Sequence, residues 1–161
     1  MNTEINTEGM VNNSNQTRIK EKYKGDQLVS IQTFQNGILN GYSEEHNCFG
    51  KEVMNYKNGK LNGDYITYNK RNQLRLRGGF EMDKRIGNWM YYTYGTYLTS
   101  IESYNEKYIV YTKLKKDSKK NETIVKSMEF YFEDNFSVES ISQIEIQKKV
   151  NEITSLCTNT Q

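Results

Sequence analysis

Hydrophobic and polar residues alternate along much of this chain with a period of two residues. In the segment LRLRGGF, the apolar positions 74, 76 and 80 alternate with Arg75, Arg77 and Gly79. Because a strand directs successive side chains to opposite faces, this period predicts a half-buried β-strand. A helix would scatter the same apolar residues around its circumference. The pattern therefore predicts a mainly β protein.

Three related hexapeptides follow one another at regular intervals. NGILNG occupies residues 36–41, NGKLNG residues 58–63 and MDKRIG residues 82–87, so they begin 22 and 24 residues apart (58 − 36 and 82 − 58). Such intervals are typical of small repeat units. Asn-Gly supplies the positive φ angles of a type I′ turn, which predicts a β-hairpin bend at each hexapeptide. The third copy has Met82 and Asp83 instead, so a different turn is an alternative there.

Aromatic residues recur at fixed distances after the last glycine of each hexapeptide. In the second and third copies these positions hold Tyr65, Tyr68, Trp89 and Tyr92. The first copy has Ser43 and His46 instead, which leaves its hairpin register open. Each copy then closes on another ring, at Tyr56, Phe80 and Tyr104. We expect rings at equivalent positions of neighbouring hairpins to pack on one another.

The run YKNGKLNGDYITYNKRNQLRLRGGFEMDKRIGNWMYYTYGTYLTSIESY, residues 56–104, resembles consecutive MORN repeats. It is similar to the bacterial variant with the core Y-x-N-G-K-x-x-G-x-[WY]-x-x-Y, and the likeness extends from about residue 23. The resemblance implies successive antiparallel hairpins laid side by side in one elongated, curved sheet. Bacterial proteins with this variant are often grouped as antitoxin-like (YwqK type), which implies binding and neutralisation of a toxin or another effector protein.

We assign the repeats to residues 21–105. A further hairpin is predicted after them. The segments KYIVYTKL (107–114) and TIVKSMEFYFE (123–133) have the composition and alternation of strands. They flank the charged stretch KKDSKKNE, which predicts the turn between them.

A short helix is predicted at the C-terminal end of residues 106–161. Ser142 and Glu145 fit a capping box. The apolar stripe of this helix is expected to be Ile141, Ile144, Val150 and Ile153. This stripe needs a cover, and the exposed end of the repeat sheet is the nearest candidate.

Composition predicts a soluble, cytoplasmic protein. Residues 1–20 are mainly Asn, Thr, Glu and Ser without a sustained apolar period, which predicts a disordered polar tail. They resemble no signal peptide, and no later segment approaches the length of a membrane span. Cys48 and Cys157 stand alone rather than in a spaced disulfide framework, so reduced thiols are expected. The net charge of +2 provides no global field for nucleic acid or membrane.

Candidate catalytic chemistry is sparse. The glycines match no phosphate-binding motif and lead into aromatic strands, so a turn role is expected for them. His46 and Cys48 resemble a Cys/His nucleophile pair or half a zinc site, but a closed zinc site needs four ligands and the chain has one His. His46 is expected instead to stand in for a repeat tyrosine. We predict no catalytic residue, metal or cofactor, and a protein that is not an enzyme.

Two binding functions remain as alternatives. The first is a protein-interaction module whose partner-binding residues are Tyr65, Tyr68, Trp89, Tyr92, Arg75 and Arg77. The second is a membrane-surface adaptor, since some MORN proteins have been linked to acidic phospholipids. Its lipid-binding residues would be Lys113, Lys115, Lys116, Lys119 and Lys120, although a solvated hairpin tip that guards an edge strand is the commoner meaning. Nucleic acid is not expected as a partner, and edge-to-edge pairing into a homodimer stays open.

Overall fold

The computed structural model describes residues 4–11, 16–120, 122–133 and 142–158, and for residues 4–11 and 158 it describes the backbone alone. These residues form eleven β-strands and one α-helix. The strands are β1 (Glu4–Val11), β2 (Thr17–Lys24), β3 (Gln27–Gln35), β4 (Ile38–Asn47), β5 (Gly50–Lys57), β6 (Lys60–Asn69), β7 (Leu74–Glu81), β8 (Lys84–Thr93), β9 (Tyr97–Tyr104), β10 (Tyr108–Asp117) and β11 (Glu122–Phe132). The helix is α1 (Gln143–Thr158). No helix in the described ranges is long and apolar enough to cross a membrane.

The chain divides into two compact units, residues 1–85 and 86–161. Within each unit, consecutive strands pair antiparallel. The predicted mainly β fold of consecutive hairpins with a C-terminal helix is confirmed. The division falls earlier than the expected boundary at residue 105, because Met90 and Ile101 of the third copy share a core with Val110 of the following hairpin.

The prediction of a disordered tail over residues 1–20 is wrong for residues 4–11 and 17–20, which form β1 and the start of β2. Strand β1 pairs with β2 in a register that sets Glu4 opposite Lys24 and Glu8 opposite Lys20. The polar composition hid the strand because an edge strand needs no buried apolar face. Residues 1–3 and 12–15 lie outside the described residues.

The three hexapeptides form the same turn. The central φ angles are 52° and 81° at Asn36–Gly37, 51° and 80° at Asn58–Gly59, and 48° and 70° at Met82–Asp83. Two positive φ angles in a two-residue hairpin loop define a type I′ turn. The alternative of a different third turn is therefore wrong. Asp83 contributes an extra contact there, since its Oδ1 accepts a hydrogen bond from the Leu61 amide at 2.7 Å.

The last glycines of the hexapeptides also occupy equivalent positions. Each faces the ring that closes its copy, in the pairs Gly41 with Tyr56, Gly63 with Phe80 and Gly87 with Tyr104. The first and second copies share a register shift at this glycine. A Cβ added to Gly41 would lie 3.4 Å from Thr33, and one added to Gly63 would lie 3.4 Å from Asn55. The hairpin of the first copy, whose register the sequence left open, therefore has the same register as the hairpin of the second copy.

Successive turns are joined by a repeating set of hydrogen bonds, which we call the turn ladder. The amide of Gly59 donates to the carbonyl of Leu39 at 2.8 Å, and the amide of Asn58 donates to Oδ1 of Asn40 at 3.1 Å. One copy later, the amides of Asp83 and Met82 donate to the Leu61 carbonyl at 2.9 Å and to Asn62 Oδ1 at 3.4 Å. The second Asn of NGxLNG therefore binds the turn of the next copy.

The second unit contains the main apolar core. Helix α1 begins after Ser142, whose Oγ accepts a hydrogen bond from the Glu145 amide at 3.2 Å, as the capping box predicts. Ile153 and Cys157 of the helix are buried in a cluster with residues of β8, β9 and β10. Ile144 is 81% exposed, so its assignment to the apolar stripe is wrong, and Ile141 lies outside the described residues.

Candidate functional site

The six predicted partner-binding residues do not form one surface. Tyr65 and Tyr68 lie on opposite faces of β6, because three positions separate them and side chains alternate along a strand. Tyr65 donates a hydrogen bond to Glu52 at 2.7 Å and packs edge-on against Phe80, with ring centroids 5.5 Å apart. Tyr68 is the register partner of Lys51 on the other face. This contact joins two positions of one copy, so the expected packing between equivalent rings of neighbouring hairpins stays a prediction.

Trp89 and Tyr92 are used in packing within the second unit. Trp89 is fully buried and lies edge-on to Tyr104 at 6.5 Å, so it offers no surface to a partner. Tyr92 packs against the core cluster. Their assignment as contact residues therefore fails for Trp89 and is weakened for Tyr92. The indole is too large and apolar to remain exposed where strands and rings can cover it.

Arg75 and Arg77 are both exposed on β7. Arg75 lies at a register shift between β6 and β7, so it has no facing residue on β6. Arg77 faces Ile66, which in turn faces Val53 of β5 and so lies on the same side as Tyr68. Of the six residues, Tyr68 and Arg77 thus share a face of the first unit.

This face carries a cluster of polar side chains centred on Glu44, and we call it the Glu44 face. It comprises Tyr42, Glu44 and His46 of β4, Lys51 of β5, Tyr68 of β6 and Arg77 of β7. Alternate positions on β4 bring the first three together. Register then places Lys51 between His46 and Tyr68.

Glu44 binds three neighbours although its carboxylate is largely buried, with 8% of the residue exposed. Its Oε1 lies 2.6 Å from Nε2 of His46, and its Oε2 lies 3.7 Å from Nζ of Lys51. The Tyr42 hydroxyl donates a hydrogen bond to Oε2. The Lys51 ammonium also lies over the ring of Tyr68, 5.2 Å from its centroid. The cluster therefore fixes the positions of four side chains that reach the surface.

These contacts shift the ionisation of the cluster. Burial alone would raise the pKa of Glu44, but hydrogen bonds from Tyr42 and His46 and the charge of Lys51 outweigh it, so its pKa is lowered. Burial and the bond to the Glu44 carboxylate raise the pKa of Tyr42 to about 12. Around neutral pH, Glu44 is therefore ionised and Tyr42 keeps its proton.

His46 and Cys48 occupy different environments. His46 lies on the Glu44 face at the position that Tyr68 holds in the next copy, as expected for a residue that stands in for a repeat tyrosine. Cys48 is exposed in the turn after β4, where Asn47 Oδ1 accepts hydrogen bonds from the Phe49 and Gly50 amides. In the described ranges, no group of three or more His, Cys, Asp and Glu side chains could hold a metal ion.

The five lysines of the predicted lipid-binding set point in different directions. Side chains alternate along β10, so Lys113 and Lys115 lie on one face and Lys116 on the other. Lys116 lies over the Tyr97 ring at 4.5 Å. Lys119 and Lys120 lie in the following turn, where their amides donate to Asp117 Oδ1. The set thus forms a hairpin tip rather than one flat basic patch.

Sequence reasoning missed the cluster around Glu44. The signal that could have found it is the alternation of Tyr42, Glu44 and His46 in one strand, which places a phenol, a carboxylate and an imidazole on one face. The contribution of Lys51 follows only from the register of β4 with β5.

The fold and this face define a β-hairpin repeat protein with a C-terminal helix. Comparison of the chain with protein-family models, with curated proteins and with solved structures found no match.

Proposed function

We propose that this chain is a non-catalytic protein-interaction module of the MORN-repeat type, and that its partner docks on the Glu44 face. The observation that carries the proposal is the buried Glu44 carboxylate, which holds Tyr42, His46 and Lys51 in fixed positions at the surface. Removing a carboxylate from water costs free energy that its contacts only offset, so an apolar residue in the place of Glu44 would serve the fold equally well. The presence of this carboxylate therefore favours a role in recognition over one in stability.

The composition of the face suits a protein partner. Tyr42 is 41% exposed, and Arg77 is exposed on the same side. Tyr and Arg are enriched among the residues that dominate binding energy in protein interfaces. Side chains that are held before binding also lose less conformational entropy on association.

The biological setting that we propose is antitoxin-like inhibition of an effector protein in the cytoplasm. The resemblance of residues 56–104 to the bacterial MORN variant suggests this role. The free thiols of Cys48 and Cys157 suit a reducing compartment.

The proposal is tested by capturing the partner from a lysate of the source organism with the tagged chain and identifying it by mass spectrometry. We expect Tyr42→Ala to weaken capture by about tenfold or more. Tyr131→Ala is the matched control, since Tyr131 is 54% exposed and donates to Glu129 two residues away, as Tyr42 donates to Glu44. Equal weakening of capture by both variants, or no weakening by either, would contradict docking on the Glu44 face.

A membrane-surface role is separated by flotation with liposomes. Under the proposed function, the chain stays unbound whether or not the vesicles contain acidic lipid. Flotation that requires acidic lipid and disappears in the double variant Lys119→Gln, Lys120→Gln would support the adaptor in its place.

A further inference from the structure

A cleft lies at the edge of the first unit where the turns after β2, β4 and β6 come together. Its cavity volume is about 830 Å³. Three of its lining residues are cationic, namely Lys24, Lys51 and Lys70, and His46 also lines it. None of the described residues that line it is acidic. Glu44 is bonded to His46 and Lys51 but does not itself line the cleft.

Part of the cleft wall is apolar. Leu28 and Val29 of β3 line it, and Val29 is the extra residue at a register shift between β2 and β3. A bulge of this kind redirects the side chain that it carries. Cations beside an apolar wall suit a ligand that has both carboxylates and apolar groups.

The spacing of the lysines indicates an extended ligand. Lys24 ends β2 and Lys51 lies on β5, so three strand spacings of about 4.8 Å, or about 14 Å, separate their backbones. Lys70 follows β6, one spacing further. Four residues of an extended peptide span about 13 Å. Because these backbone positions lie in a row across the strands, they suit an extended ligand better than a single phosphate, which contacts its cations at one point.

We propose that this cleft binds an extended acidic segment of the protein partner, with acidic residues about four positions apart and apolar residues between them. This inference rests on the proposed function, because the segment belongs to the protein that docks on the adjoining Glu44 face. Lys24 attracts one carboxylate, Lys51 and the neighbouring Lys70 attract the next, and Leu28 and Val29 contact the apolar side chains between them.

The test measures the fluorescence anisotropy of a dye-labelled ten-residue peptide that has Glu at every fourth position and Leu or Gly between. The double variant Lys24→Gln, Lys70→Gln is expected to weaken binding by about tenfold. Its matched control is Lys57→Gln, Lys60→Gln, which removes the same charge from exposed residues at the opposite turn. Thermal unfolding of both variants verifies that they are folded. Equal affinities of the two double variants would overturn the proposal.

Cys48 gives a second readout that needs no substitution. It lines the cleft and is exposed, whereas Cys157 is buried and burial raises the pKa of its thiol. The bound peptide should slow alkylation of Cys48 by iodoacetamide, and the same peptide with Gln in place of Glu should not. Unchanged alkylation at a saturating peptide concentration would overturn the proposal.

Other anions are separate arms of the experiment. Displacement of the peptide by inorganic phosphate, beyond the effect of chloride at matched ionic strength, would overturn the assignment to an acidic peptide. Binding of the chain to vesicles of acidic lipid that depends on Lys24 and Lys70 would overturn it as well. If the partner is captured through Tyr42 but is indifferent to Lys24 and Lys70, the proposed function stands and the cleft inference fails.

Discussion

At the residue scale, Gly50 is held by a close backbone contact. Its φ is +146°, and an added Cβ would lie 2.0 Å from the Tyr68 carbonyl oxygen and 2.7 Å from the carbonyl carbon of Asn69. Backbone atoms cannot move aside as a flexible side chain can. The strand pair β5–β6 therefore tolerates only glycine at this position, beside the turn that carries Cys48.

We predict that Gly50→Ala lowers the free energy of unfolding by about 2–4 kcal/mol, because the methyl group would separate β5 from β6. Gly37→Ala is the matched control, since Gly37 also has a positive φ but no atom lies within 4 Å of its added Cβ. Its cost should be about 1 kcal/mol, from backbone conformation alone. Urea unfolding measures both. Equal losses would show that the contact with Tyr68 and Asn69 is not responsible.

At the element scale, the turn ladder links each hairpin to the next through the second Asn of the hexapeptide. We predict that Asn40→Leu costs about 1 kcal/mol, because it removes the acceptor for the Asn58 amide. Asn40→Asp should retain most of the stability that this bond provides, since a carboxylate oxygen can also accept the Asn58 amide. Hydrogen exchange should accelerate at the Asn58 amide and much less at Gly59, whose acceptor is the main-chain oxygen of Leu39. Equal acceleration at both amides would indicate general opening of the hairpin.

The hairpins could be predicted because their signals are local. Asn-Gly at residues 36–37 and 58–59 specifies the turn, and alternation specifies the strands. Met82–Asp83 adopts the same turn although neither residue is glycine, because the contacts with Leu61 and Asn62 of the preceding copy stabilise it. Such contacts join residues about 20 positions apart and are invisible to a local pattern.

The candidate site was less accessible from the sequence. Spacing places Tyr65 and Tyr68 on opposite faces of one strand, but it could not show which residues each ring contacts, because those partners are set by pairing with other strands. The burial of Trp89 likewise depends on packing that the repeat pattern does not encode. The cleft combines residues of three turns, so only the register brings Lys24, Lys51 and Lys70 together.

At the scale of the whole molecule, tyrosines couple stability to alkaline pH. Burial raises the pKa of Tyr42, Tyr56, Tyr65 and Tyr108, and hydrogen bonds to nearby carboxylates raise the pKa of Tyr23 and Tyr131. The folded state therefore binds these protons more tightly than the unfolded state does. Their stabilising contribution is complete below pH 10 and is lost as pH rises through the folded pKa values.

We predict that the double variant Tyr42→Phe, Tyr65→Phe loses less stability than the wild type between pH 10 and about 12. The wild type and the double variant should be compared by urea unfolding across this range, with phenolate absorbance recording the ionisation. An unchanged or steeper loss in the double variant would contradict the assignment of raised pKa values to these two phenols.

The third hexapeptide lacks the side-chain acceptor that the first two supply to the turn ladder. Ile86 occupies the place where the earlier copies have Asn40 and Asn62, so its side chain has no oxygen to receive the amide of a following bend. The turn of a hairpin that follows the first or second copy can donate to the side-chain oxygen of Asn40 or Asn62, but a turn that follows the third copy meets Ile86. A hairpin added behind the third copy would therefore lack the side-chain bond of the turn ladder and could form only its main-chain bond.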